Sequence, residues 1–502
     1  MLAPVAANAQ TADDGLRLSD REPAVGVRMS AMAGAGGFAG IGDFGALFAN
    51  PAGLGYLDGS YLSGSLTNVI TSDDVRFVTP DFSTRSDESL TNMRVGHLAY
   101  LYKVPTAQGS LVVGASYQRT NPFNRSFSFA GENHTNSVTD FFLPFPDEYE
   151  IRYDEDGDFY YPEFFRDLSW LAYEGGAIEF YPECLDLDCP IFDTAVLPGS
   201  RIHQSGEVIE EGGMNEISFG GAFEAAENVM VGLSANVTFG SYRFESIFDE
   251  VDSYGDNEDY IVIVGGDELI GLDDIRYIQG YEADIIGFNA RLGVSGRITP
   301  ELRAGISIET PTYQNVSEYY WEEVSTLFLT GGSLAQSYDG DFEYRISSPW
   351  RIGGGIAYQT PRLLVSADAE YVDWSQMRFS SSTNRGYFED LNRDLRRVYD
   401  PVLNTRIGAE FWVGDLALRG GFAYKPDPRQ EDLVLTSGTT NRAQTFFSGG
   451  LGYRFTDQFS VDFAWTQQRF NDAYVPYAVD NAPIVEEEVT RNRFSIGFTV
   501  KL

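Results

Sequence analysis

Phe494-Ser-Ile-Gly-Phe-Thr-Val-Lys-Leu502 puts an apolar side chain at every second position, with Ser495, Gly497, Thr499 and Lys501 between them. Period two is the pattern of a strand with one apolar face. It recurs upstream. Phe459, Val461, Phe463 and Trp465 alternate with Ser460, Asp462 and Thr466; Leu302, Ala304, Ile306 and Ile308 with Arg303, Gly305, Ser307 and Glu309; Phe288, Ala290, Leu292 and Val294 with Asn289, Arg291, Gly293 and Ser295. In a soluble sandwich this apolar face would be the inside. In an outer-membrane barrel it faces lipid, and the polar face lines the lumen.

The connections decide between the two. The pattern predicts strands near 59–70, 91–104, 109–119, 214–225, 228–248, 277–297, 300–313, 342–359, 362–379, 403–413, 415–425, 440–455, 457–469 and 490–502. Links after the even strands are tight, centred on Pro105 to Gln108, Ala226-Glu227, Ile298-Thr299, Thr360-Pro361, Gly414 and Thr456-Asp457. Links after the odd strands are expected to be long. Short periplasmic turns alternating with long extracellular loops are what a bacterial barrel of even strand number shows, and a sandwich has no reason to alternate so. The expected fold is all-β, a transmembrane antiparallel β-barrel of about 14 strands, with its last residue at the periplasmic rim.

The N-terminal stretch is different. Met29 to Leu54 is apolar and rich in Gly and Ala, with too little side chain for a core of its own and too little polarity for a solvated tail, so it should lie inside something. Asn50-Pro51-Ala52-Gly53-Leu54 makes a rigid corner: Pro51 fixes one φ, Asn50 is biased away from the helical region, and Gly53 permits a turn. Arg28-Met29, the Gly/Ala run, Gly42-Asp43, Ala46-Leu47-Phe48 and this corner together resemble the N-terminal hatch of the FadL-type outer-membrane transporters of long-chain fatty acids and other hydrophobic compounds. The resemblance covers about thirty residues. It implies a hatch folded into the lumen of a 14-stranded barrel, with Asn50, Pro51, Ala52 and Gly53 as gating residues. The expected division is a signal-peptide remnant at 1–9, a hatch at 10–57 and the barrel at 58–502. The remnant is read from the small-residue pattern Ala7-Asn8-Ala9 before Gln10.

Composition bounds the partners. Asp and Glu outnumber Lys and Arg by 74 to 35, a net charge of -39, which argues against nucleic acid. No run of 18 apolar residues marks a membrane helix. Outer-membrane lipid, a hydrophobic small molecule and, during biogenesis, the barrel-assembly machinery are the expected partners. The last strand resembles the signal that this machinery reads, although the final residue is Leu502 rather than the usual Phe. The expected location is the bacterial outer membrane.

The third link, about 120–213, is far longer than a barrel loop needs to be. Its aromatic content must be buried, so it should fold over the barrel mouth. Phe141, Phe142, Phe145, Phe159 and Tyr160 are the candidate substrate-capture residues. Cys184 and Cys189 are the only cysteines; in an exported chain this spacing reads as a local disulfide. Metal binding has weaker support, because the nearby acids are hard ligands and His203 is alone. The run Asp154 to Asp158 departs from the spacing of an EF-hand and reads as a solvated loop. No cofactor is implied. Three histidines and no Gly-x-Ser-x-Gly give no nucleophile elbow, leaving open only a Ser/His pair across the wall, as an outer-membrane phospholipase would use. The expectation is a non-enzyme.

By resemblance, the expected function is passive uptake of hydrophobic compounds by extracellular capture, hatch movement and lateral exit through a gap near the third strand, with Pro122 as a place for pairing to fail. The rival is a FadL-like barrel that serves as scaffold or partner of a secretion machine and transports nothing. A continuous apolar pocket leading to a wall opening would separate them.

Overall fold

The computed structural model describes residues 11–41, 43–153, 160–185, 189–264, 267–381, 386–430 and 440–502; residues 1–9, where a signal remnant is expected, Gly42, Phe159 and the acidic run 154–158 lie outside them. Among the described residues one sheet of eighteen ladder segments closes on itself. Four strands are interrupted, which leaves fourteen: β1 (Tyr61–Val78), β2 (Ser83–Lys103), β3 (Leu111–Pro122, resumed as Arg125–Asn133), β4 (Ile202–Ala226), β5 (Val229–Val251), β6 (Leu272–Arg297), β7 (Leu302–Glu309 and Tyr313–Phe328), β8 (Ser333–Ser347 and Arg351–Gln359), β9 (Leu363–Asp373 and Arg378–Ser380), β10 (Pro401–Val413), β11 (Leu416–Lys425), β12 (Gln444–Thr456), β13 (Phe459–Tyr474) and β14 (Ile484–Lys501). All neighbours are antiparallel, and β14 pairs with β1 from Tyr61↔Lys501 to Val78↔Ile484. Closure pairs the strand edges all round the barrel except along one stretch between β2 and β3, which meets the condition a membrane imposes on a sheet everywhere else.

Lipid-facing side chains are the apolar half of each alternation. Phe288, Leu292, Ile306, Ile407, Phe463 and Ile496 are exposed on the outer face, while Asn289, Arg291, Ser295, Ser307, Arg406 and Ser495 are buried within. On several strands the outer face changes from apolar to polar at one height, as from Phe239 to Ser241 and from Ile286 to Asp284, marking the outer edge of the lipid band.

The expected long links are not all loops. β1 and β2 pair up to Val78↔Ser83, so the first outer link is a four-residue turn, and β7 and β8 similarly pair up to Leu327↔Ser333. Beyond the lipid band the outer face of β1 meets water, with Asp74 and Arg76 exposed, while its inner face is buried at Asp73, Val75 and Phe77, so the outward positions lose their apolar character, yet the backbone ladder continues.

The third link does form a cap, which is shorter than expected because β3 resumes to Asn133 and β4 begins at Ile202. It holds two short helices, Val138–Phe142 and Asp167–Glu174, and two small hairpins. Val138, Phe142, Leu168, Leu171 and Ile178 join Phe77, Phe127, Phe129, Phe248, Tyr277 and Phe328 of the barrel in one apolar core. The cap is thereby anchored in the outer mouth. Glu250 of β5 receives the Val138 N–H at 2.8 Å, so a buried wall carboxylate caps the first helix. Cys184 and Cys189 are disulfide-bonded.

Candidate functional site: hatch, wall break and capture surface

The hatch fills the lumen. Its helix α1 (Ala12–Ser19) starts with a capping box, Thr11 and Asp14 each bonding the other's backbone N–H. A glycine-rich turn region and two 3-10 turns, Phe44–Leu47 and Pro51–Tyr56, follow. Asn50 is fully buried at the corner: its Oδ1 accepts the Ala52 N–H at 3.1 Å, and its Nδ2 lies 2.8 Å from Phe38 O, 3.2 Å from Val294 O and 3.3 Å from Ile306 O. One side chain thus ties the hatch to itself and to two wall strands. The wall makes room for it with glycine. A Cβ on Gly232 would stand 2.3 Å from the Ala52 nitrogen.

Ion pairs across the hatch boundary do the rest. Arg21 meets Glu309 and Glu370, Arg28 forks onto Glu410 at 2.7 and 2.9 Å, Lys425 donates to Asp20, and Arg442 to Asp13. Asp368 accepts the N–H groups of Gly36 and Phe38, and Arg303 donates to Gly40 O at 2.6 Å. Buried charges cost free energy unless paired, so one docked position of the hatch satisfies them and others do not.

The wall has a break. β2 and β3 pair only from Lys103↔Val112 to His97↔Gln118; above this β2 stays with β1, while β3 stays with β4 as far as Pro122↔Gly213. Ser128 and Ser126 donate to Glu88 above the break, which is therefore a bounded window. Pairing fails on the β2 side a few residues before Pro122, and Pro122 itself keeps its partner on β4. Hatch residues fill the vacant β3 edge: Glu22 N–H donates to Thr120 O at 2.9 Å, and Asn121 Nδ2 to Arg17 O and Asp20 O.

Inside the break, cavities of about 170 and 380 Å³ lie between the hatch and the barrel wall. Leu16, Phe123, Trp374, Phe446 and Phe470 supply apolar lining, with Arg17, Arg125, Glu210 and Asp472 among the polar residues. Below the hatch, a cavity of about 490 Å³ opens at the periplasmic turns. Its wall holds the Ser/His pair left open by the sequence. Ser63 Oγ lies 3.0 Å from His97 Nε2, but Nδ1 meets the Ser65 hydroxyl at 2.6 Å instead of a carboxylate, and Phe44 of the hatch stacks on the ring. Among the described residues the hydrogen bonds of this histidine go to Ser63 and Ser65, so it lacks the carboxylate partner of a Ser-His-Asp arrangement.

The capture candidates separate. Phe142 is fully buried in the cap core against Tyr277, so it is a structural residue with no surface for a ligand, because its helix turns it toward the barrel. Phe141 is half-buried beside Arg166. Phe145 and Tyr160 are exposed, and with Tyr153, Tyr161 and Phe165 they make an aromatic outer surface, Tyr153 and Tyr160 in ring contact. Tyr153 and Phe165 were not singled out by the sequence; their alternation with charged residues around a short hairpin was the available signal.

Residues 212–495 match the family described as outer membrane protein transport protein (OMPP1/FadL/TodX). The chain belongs to the FadL/TodX family. No curated protein matches the sequence. Among solved structures the fold is similar to that of a Pseudomonas aeruginosa FadL homologue, at 13% identity and TM-score 0.53, over 96% of this chain and 99% of that one. It is similar also to the P. putida toluene transporter TodX, at 15% identity and TM-score 0.52, again over 96% and 99%. As a FadL/TodX barrel with a lumenal hatch, the protein belongs to the bacterial outer membrane.

Proposed function

We propose that this barrel takes up hydrophobic compounds across the outer membrane, without chemistry on them, and releases them sideways through the break between β2 and β3. The observation that carries the reading is the break itself, filled by hatch residues rather than by a neighbouring strand. A hydrophobic molecule gains nothing from a water-filled pore, whereas a window in the lipid band lets it pass from the lumen into hydrocarbon. Exposed cap aromatics collect it, the chamber beside Phe123 and Leu16 receives it, and displacement of the hatch clears the window. Gating by the Asn50 to Gly53 corner follows, since the corner is where the hatch grips β6 and β7.

The test pins the hatch. A Cβ on Gly497 would lie 2.7 Å from Val27 Cγ2, so Val27→Cys with Gly497→Cys places two thiols in bonding range. Oxidised cells should lose uptake of a labelled aromatic hydrocarbon or fatty acid, and a reductant should restore it. Uptake that is undiminished with the cross-link formed would overturn hatch movement and favour the scaffold reading.

A further inference from the structure

Between β3 and β8 the outer wall of the barrel carries a hollow of about 780 Å³, at the height where outward side chains change from apolar to polar. Two ladder rows cross it. From β5 to β8 the lower row runs Phe239, Ile286, Asn315 and Arg345, and the upper row runs Ser241, Asp284, Ser317 and Glu343. Ser241 and Ser317 are small, which leaves space on both sides of Asp284. The charges in these rows have no protein partners. One row further out Arg243 pairs with both Glu245 and Glu282, whereas among the described residues the exposed carboxylates of Asp284 and Glu343 have neither an ion pair nor a hydrogen bond. Arg345 donates Nε to Asn315 Oδ1 at 2.9 Å, and its Nη groups remain unengaged.

The height of the hollow sets the class of molecule that fills it. Phe239, Ile286 and, one row lower, Phe288 lie in the lipid band, so the occupant has acyl chains there and a head group against Asp284, Glu343 and Arg345. In a bacterial outer membrane the leaflet on the cap side is phosphorylated glycolipid. A guanidinium binds phosphate directly. The carboxylates repel it unless a cation intervenes, and among the described residues no group of acids is gathered to hold an ion by itself. Mg²⁺ is commonly held by one or two carboxylates together with phosphate oxygens, which is the set that Asp284 or Glu343 makes with a lipid phosphate. The two acids stand two strand spacings apart, about 10 Å, so each faces its own phosphate. We infer that this hollow binds a glycolipid of the outer leaflet bearing two phosphates, through the Arg345 guanidinium and through divalent cations at Asp284 and Glu343. Neither the hatch nor uptake takes part.

The test uses the full chain, freed of lipid and held in a neutral detergent, with diphosphoryl lipid A and phosphatidylethanolamine as probes and native mass spectrometry as the readout. With Mg²⁺ present the wild type should retain lipid A about tenfold better than phosphatidylethanolamine, and EDTA should abolish the preference. Arg345→Gln should lower lipid A retention about tenfold. Asp284→Asn with Glu343→Gln should retain less than wild type in Mg²⁺ and more than wild type in EDTA, because unbridged carboxylates repel phosphate. Arg469→Gln, which removes an exposed arginine of β13 outside the hollow, should behave as wild type. All four side chains are exposed, so heat-modifiable migration should be unchanged in every variant. Equal retention in the hollow variants and Arg469→Gln, or lipid A retention that EDTA does not alter, would overturn the site. Retention of phosphatidylethanolamine equal to that of lipid A would overturn it in favour of a zwitterionic head group whose amine meets the carboxylates.

Discussion

Asn50 Oδ1 occupies the place where Gly293 would carry a side chain: a Cβ built there stands 1.9 Å from that oxygen. The relationship joins the hatch corner to the middle of β6, on the lumenal face where every alternate residue points inward. Gly305 of β7 stands in the same relation to Phe38 O, at 2.2 Å. The hatch lies against the wall at backbone distance because these wall positions have no side chain.

Gly293→Ala should therefore unseat the corner while leaving the barrel closed. The clash is with a buried amide that has its own bonds to Phe38 O and the wall, and overpacking of this kind costs about 1–3 kcal/mol. Limited trypsinolysis should cut the hatch at Arg21 or Arg28 faster than in wild type, with unchanged heat-modifiable migration. Gly354→Ala is the control, since a Cβ there meets only a distant carbonyl at 3.9 Å. Equal hatch cleavage in both variants would show that the corner is not seated by Gly293.

The cap should respond to pH through Glu179. Burial in the small hairpin lifts its carboxyl to about 7, opposed only in part by a backbone N–H. A carboxyl raised on folding holds its proton more firmly in the folded cap, so cap stability is greatest at acid pH and declines as pH rises from the ordinary carboxyl range through about 7. Amide exchange across Ile178–Phe180 should quicken between pH 5 and pH 8 beyond the intrinsic rate. Glu179→Gln should flatten that dependence. A dependence that persists in the glutamine variant would assign it to another group.

Topology can be checked on intact cells. An impermeant thiol reagent should reach a cysteine at Glu258, exposed in the link between β5 and β6, and should not reach one at Asp457, in the turn between β12 and β13. The native cysteines are disulfide-bonded and give no background. Labelling at Asp457 from outside would invert the barrel.

The membrane part of this fold is legible in the sequence because lipid enforces alternation: Phe494 to Leu502 can be read only one way once an even number of strands is counted. Above the membrane that constraint lapses. Asp73, Asp74 and Arg76 look like loop residues and are ladder residues, because the backbone pairs whatever the side chains meet. The corner at Asn50 was legible as a rigid turn, since Pro51 and Gly53 are local signals. Its wall partners were not. Nothing in the sequence around Gly293 or Gly232 distinguishes a glycine that seats the hatch from an outward one such as Gly354. Glu22 and Arg493 are 471 positions apart, and no local pattern links them. Phe142 shows the converse limit: aromatic content identified a cap, but which rings face the barrel depends on a five-residue helix whose phase is set by Glu250.

The Asn50 side chain is the hatch residue on which fold and function should come apart. The barrel closes through its own ladder, so Asn50→Ala should fold and migrate as wild type. In the hatch, the same change strips the Ala52 N–H of its acceptor and leaves Phe38 O, Val294 O and Ile306 O without the amide donor. Unmaking buried bonds of this kind costs about 1–3 kcal/mol each where no water replaces them. In the proposed mechanism the docked hatch is one of two arrangements, and a change of about 1.4 kcal/mol in their difference alters the ratio tenfold. Uptake of a labelled hydrophobic compound should rise several-fold, because the lost bonds belong to the docked arrangement that closes the window, while the outer aromatic surface, remote from the corner, is unchanged. Pro51→Ala should act in the same direction and more weakly, since it loosens the turn but keeps the amide. Wild-type uptake by both variants, measured beside a wild-type barrel shown to carry the same compound, would remove the corner from the gating mechanism.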